Sequence, residues 1–150
     1  MANTIRDPVC TLVLAAALVA STGGAHGQDA SEASHQMYLE LQRQPDAFVG
    51  KPLSFAGKVI QSARIGNAYV LRVNVTPARY NSWQDTIYVD YKAASPAAPE
   101  KIAEGDLVSV RGTYTGIKSY QSVIGDTIQV PSVTACLVQP GVSNIPDCPR

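Results

Sequence analysis

The chain is poor in the residues that most catalytic and metal centres are built from. Of its 150 residues only two are histidines, His26 and His35, and no serine sits in a recognisable nucleophile elbow. A triad or metal site built on imidazole is therefore hard to assemble, and His35 is expected as a solvated helix residue. The carboxylates do not compensate. Asp85 and Asp90 lie around one strand with no third ligand nearby in sequence, and Asp106 and Asp126 follow turn glycines, where aspartate commonly satisfies local backbone. A glycine-rich phosphate loop is also missing, since Gly23-Gly24 stands near the N-terminus and the other glycines are scattered. Net charge is missing too: Lys plus Arg and Asp plus Glu both number 12, so no overall field draws the chain onto nucleic acid or an anionic membrane. These absences predict no cofactor, no metal and no enzyme. The longest apolar run, residues 9–20, is shorter than the roughly 20 residues a spanning helix needs.

What is present begins with an address. Arg6 precedes that apolar run, and the small-residue end Ala25-His26-Gly27 follows, which reads as a secretory signal peptide over 1–27. Cys10 lies within it, badly placed for lipidation. A soluble product in the periplasm or the medium is expected, with no membrane span after cleavage. Removing the segment takes Arg6 and Asp7, one charge of each sign, so the rest stays neutral. It keeps Cys136 and Cys148, an even pair for which an oxidising compartment makes a disulfide the expectation; two free buried thiols are the alternative. Closing so short a loop contributes about 2–3 kcal/mol. With Pro140, Gly141, Pro146 and Pro149, the tail over 139–150 has no helical option.

Residues 28–33 are small and polar, as expected of a flexible leader. A helix is predicted over 34–43, capped by Ser34, with Met37 and Leu41 on one face and Pro45 as its stop. Phe48 and Val49 are expected to plug one end of a core. The period then changes to two. Strand one runs from Lys51, with Leu53, Phe55, Gly57 and Val59 inward; Gly66-Asn67 turns the chain; strand two carries Tyr69, Leu71, Val73 and Val75 inward; strand three carries Ile87, Val89 and Tyr91. A connector with a short helix starting at Ser95 or Pro96 leads to strand four at 107–115. Strand five, 127–137, is joined to it through 116–120 and the Gly125-Asp126 turn, and its inward set shifts at Pro131, where a bulge or sheet-edge position is expected.

The stretches Gly50-Lys51-Pro52-Leu53-Ser54-Phe55-Ala56-Gly57 and Gly105-Asp106-Leu107-Val108-Ser109-Val110-Arg111-Gly112 share one scheme: a turn glycine, two inward apolar residues, a second glycine. Glycine weakens a strand interior unless the sheet curls tightly, so the pair argues for a closed or nearly closed barrel. Tyr38-Leu39 to Pro45-Asp46-Ala47-Phe48-Val49-Gly50-Lys51, Phe55 to Gln61, Leu71 to Val75, Trp83 to Val89, and Gly105-Asp106 to Gly112-Thr113-Tyr114 resemble the exported bacterial OB-fold proteins grouped as tRNA-anticodon-binding-like. The resemblance spans roughly 38–135. It implies an all-β, five-stranded OB-fold, a Greek-key barrel with an N-terminal helix and a short helix between strands three and four, as a domain over 34–138.

OB-folds use the outer face of strands two and three, with neighbouring loops, for ligands. Strand parity turns Lys58, Arg72, Asn74, Tyr88, Asp90 and Arg111 outward, with Tyr80, Trp83 and Tyr120 expected in loops nearby. Lys58, Arg72, Asn74, Tyr88, Trp83 and Arg111 are the candidate ligand residues, Arg72 foremost because it interrupts an apolar run. The plainer reading makes them solvent-facing strand residues, with Arg111 paired to Asp90 across the sheet and Trp83 a lid on the barrel's end. The expected function is an exported, non-catalytic binding module for a protein or cell-envelope ligand. The alternative is single-stranded nucleic-acid binding in DNA uptake or transfer, which wants aromatics and cations together but is disfavoured by the zero net charge.

Overall fold

The computed structural model of the protein describes residues 26–93, 101–142 and 147–148, with side chains from residue 30 onward. Residues 1–25 of the signal segment, the connector helix expected at Ser95 or Pro96, and residues 143–146 and 149–150 of the C-terminal tail lie outside the described residues.

Helix α1 spans His26–Arg43, so the segment 28–33, expected as a flexible leader, is helical. Ser34 is accordingly not a cap: its hydroxyl donates back to the Ala30 carbonyl (3.0 Å), one turn earlier. Proline ends the helix as expected. Pro45 restricts the residue before it and starts the single turn α2, Pro45–Phe48. Leu41, buried to 1 % exposure, is the plug of the barrel's end, with Met37, Tyr38 and Phe48 packed against the core. Val49 is exposed and does not share that role.

Five strands follow: β1 Pro52–Ile65, β2 Ala68–Pro77, β3 Trp83–Lys92, β4 Leu107–Gln121 and β5 Thr127–Pro140. The sheet closes on itself in the order β1-β2-β3-β5-β4. All pairings are antiparallel except β3 with β5. The inward parity of the sequence holds: Leu71, Val73, Ile87, Val89 and Val110 are fully buried, and Val59, Val75 and Val108 nearly so.

The two glycine-marked segments are partners in space. Leu53 pairs with Gly112 and Gly57 with Val108. At Lys58, which pairs with both Leu107 and Asn74, β1 passes from β4 to β2. A β-carbon at 57 would lie 2.6 Å from Val73 Cγ1, and one at 112 would lie 2.7 Å from Ala135 Cα. Each glycine therefore admits a neighbouring strand at a corner where any side chain would hold it off.

Strand four is longer than the sequence pattern indicates. Gly116, at φ +110, reads as a turn signal, but the chain continues extended to Gln121, with the extra residue Thr115 bulged out between Tyr114 and Gly116. The shift expected at Pro131 is thus taken up by β4, and Pro131 pairs regularly with Ile117. A second irregularity sits where Arg111 pairs with Leu137 and Gly112 with Ala135, leaving Cys136 as the extra residue on β5. Cys136 forms the expected disulfide with Cys148, at a Cα–Cα distance of 5.7 Å. The tail is held further by Asp147 on Arg111 (2.7 Å) and by Gly141, whose N–H donates to Leu107 and whose carbonyl accepts from Ser109 Oγ.

Candidate functional site

On the outer face, β1, β2 and β3 meet the hairpin that joins β4 to β5, and a cleft of about 440 Å³ lies between them. Its lining is mainly apolar: Ala63, Val70, Val123 and Ile128, with the tyrosines 88 and 120. Among the described residues, Arg72 is the one charged residue in its lining. Volume and composition both suit a small ligand or a short chain segment.

Arg72 is held from two sides. One terminal nitrogen donates to Gln61 Oε1 (3.1 Å), the other to the Tyr120 hydroxyl, and the guanidinium lies 4.7 Å from the centroid of the Tyr120 ring. Its Nε is buried with no hydrogen-bond partner. Tyr88, opposite Arg72 on β3, carries the Lys118 ammonium 3.7 Å from its ring centroid, and Lys118 also reaches Asp90 (3.7 Å). Each tyrosine thus already has a cation against its ring. Beyond them the hairpin tip projects Val123, fully exposed, and Ile124, 81 % exposed.

Of the six candidates, Arg72 and Tyr88 line this cleft and four do not. Asn74 faces outward, but its amide donates to the Trp83 carbonyl (2.7 Å) and accepts from Thr86 Oγ1 (2.7 Å). Trp83 opens β3 five residues before Tyr88, roughly 16 Å along an extended strand. Lys58 sits where β1 changes partners, opposite Asn74 and Leu107. Arg111 is engaged by Asp147 of the tail, not by Asp90, whose partner is Lys118. Tyr120, expected in a loop, is on β4. Gln61, Val70, Lys118, Val123 and Ile128 were missed. Val123-Ile124 carried a usable sign: two β-branched residues in a turn that chemistry would make polar.

A second, shallower depression of about 670 Å³ lies between α1 and residues 77–84 and includes Ser31, Glu32, His35 and Arg79. His35 is not free in solvent there: its Nδ1 meets Asp85 Oδ2 at 2.6 Å. Asp85, like Tyr80 and Asn81, has a positive φ, and these are the non-glycine residues in that region of backbone space among the described residues. Among the described residues no three of His, Cys, Asp and Glu gather as a metal site.

Four groups shift in one direction. Burial raises the pKa of the Tyr38, Tyr91 and Tyr114 phenols above the ordinary 10.0. A hydrogen-bonding contact with Tyr88 raises Lys118 above 10.5. In each case the folded protein holds the proton more tightly than the unfolded chain. The stability this confers is complete below the unfolded values and is lost as pH rises through the folded ones. The urea midpoint is therefore expected to fall between about pH 9 and about pH 12, with phenolate absorbance appearing later than in the unfolded chain. A flat midpoint across that window would contradict these assignments.

Strand order, the parallel β3–β5 pair and the capping helix define an all-β, OB-like protein, with a cleft on the face such folds use for ligands. No family model matches the chain, and no curated protein does, so neither comparison supports the resemblance to the tRNA-anticodon-binding-like group. Among solved structures the chain is similar to the crystal structure of a small single-stranded DNA-binding protein from Streptomyces coelicolor. Identity is 20 % over 62 % of this chain and 95 % of that one, with a TM-score of 0.43.

Proposed function

We propose that the protein is an exported, non-catalytic binding module, periplasmic or secreted, whose cleft takes a segment of another protein or of a cell-envelope component. The observation that carries this reading is the cleft itself. It puts one incompletely paired cation on an apolar floor beside a hairpin tip that presents Val123 and Ile124 to solvent. Adjacent exposed aliphatics on a turn are costly to leave in water and are a common mark of protein contact. Single-stranded nucleic acid fits less well: it needs several free cations along a track, and Lys118 is already shared with Asp90. Catalysis has no support in the cleft lining, where the titratable groups are Arg72 and two tyrosines.

A photo-crosslinking residue in place of Val123 tests this in the native host. Protein adducts are expected at 123 and not at the exposed Thr134 on the barrel wall. Titration of a labelled single strand at low salt should show no salt-dependent binding that Arg72→Ala removes. Adducts to nucleic acid alone, or equal protein adducts at both positions, would reject the reading.

A further inference from the structure

The donors of Arg72 can be counted. A guanidinium has five N–H groups; one terminal nitrogen gives one to Gln61, the other gives one to Tyr120, and Nε is buried without a partner. One N–H on each terminal nitrogen is left in a side chain that lines the cleft, and among the described residues no carboxylate lines it to receive them. A buried, unpartnered donor on a charged group is uncommon and calls for a cause. Here it indicates a guanidinium held ready, with the Tyr120 hydroxyl and the Gln61 amide as neutral substitutes for a charged acceptor. A carboxylate would bind the fork more strongly than a phenol does.

The rest of the lining narrows the ligand. A single cation with donors to spare suits one anionic group, not a chain of phosphates. Val70 and Ile128 on the walls and Val123 at the rim suit an aliphatic group beside that anion. Gln61, bonded only through its oxygen, and Gln121 offer amide groups to a peptide main chain.

We infer that the cleft recognises an extended peptide in which a carboxylate side chain neighbours an aliphatic one. Arg72 pairs the carboxylate, Val123 and Ile128 cover the aliphatic group, and Tyr120 is the hydroxyl the carboxylate displaces. The inference rests on the proposed role of the cleft as the binding site.

Fluorescence anisotropy with three labelled probes tests it: a peptide alternating valine with aspartate, the same peptide with asparagine for aspartate, and an oligothymidylate. The aspartate peptide is expected to bind about tenfold or more tighter than the asparagine one. Arg72→Ala should erase that preference, Val123→Asp should weaken both peptides, and Tyr120→Phe should leave the preference intact or raise it. All variants are compared at equal thermal stability by circular dichroism. Octanoate should not displace the aspartate peptide; displacement at equal concentration would assign the cleft to free fatty acids and overturn the inference. Equal affinity for the two peptides, or a preference that survives Arg72→Ala, overturns it as well. If neither peptide binds while position 123 still crosslinks to protein, the inference fails and the binding-module reading stands. If only oligothymidylate binds, both fail.

Discussion

Alanine at Gly112 is expected to destabilise the protein by about 3 kcal/mol and to lower its melting temperature by about 10 °C. Most glycine substitutions act through the conformational freedom of the chain, but this one acts through space. A β-carbon at 112 would lie 2.7 Å from Ala135 Cα and 2.8 Å from the Thr134 carbonyl carbon. Both are backbone atoms of β5, the strand with which β4 pairs from Val108 to Gln121. A flexible side chain could turn aside; a paired backbone cannot move without lengthening its ladder, so the cost falls at the upper end of overpacking. Thr113→Ala, one residue on and exposed, is the control and should stay within about 0.5 kcal/mol. Thermal unfolding followed by circular dichroism decides it. A melting temperature for Gly112→Ala equal to that of the control would mean that β4 and β5 are not drawn together at that corner.

That corner was legible before any coordinates, and the reason is physical. Strand parity is a local property, so Leu71, Val73, Ile87 and Val89 could be assigned inward from alternation alone, and the Gly66-Asn67 turn from its residues. Glycine inside a strand has few causes other than close approach, so Gly57 and Gly112 announced the curl. Pairings across the closed barrel were not legible, because they depend on its stagger and bulges. Arg111 meets Asp147 in the tail and Asp90 meets Lys118, though parity alone made Arg111 and Asp90 partners. Gly116 misled for a related reason: a positive φ usually ends a strand, but here the Thr115 bulge lets β4 run on to Gln121 and carry Tyr120 over Arg72.

The same logic separates the candidate residues. Arg72, which lines the cleft, stood out in the sequence because a cation in an apolar run is anomalous wherever the strand lies. Trp83 and Asn74 carry groups that suit a ligand but lie outside the cleft lining, at positions along β2 and β3 that no sequence period encodes. His35 was read as solvated since Asp85, its partner, is 50 residues away.

The second large effect is expected at Tyr114, whose hydroxyl ties the last turn of the helix to the barrel. In a helix the carbonyl of Leu41 would accept from the N–H of residue 45, but that residue is Pro45 and has none. The neighbouring Glu40 carbonyl is served by Gln44 N (3.0 Å), whereas the Leu41 carbonyl is served by the Tyr114 hydroxyl at 3.0 Å. Tyr114 itself is 1 % exposed, on β4 two residues past Gly112. Tyr114→Phe keeps the ring and orphans a buried carbonyl, for a loss of about 1–3 kcal/mol. Tyr114→Ala also opens a cavity beneath α1 and should cost about 3–5 kcal/mol. Amide exchange in α1 distinguishes the two roles of the residue. With phenylalanine, the last turns of the helix should exchange faster while β2 and β3 keep their protection, because only the joint between helix and barrel is weakened. With alanine the whole barrel should lose protection, since the ring fills the end that Leu41 closes. Unchanged exchange in α1 for Tyr114→Phe would show that the proline-orphaned carbonyl does not depend on the tyrosine.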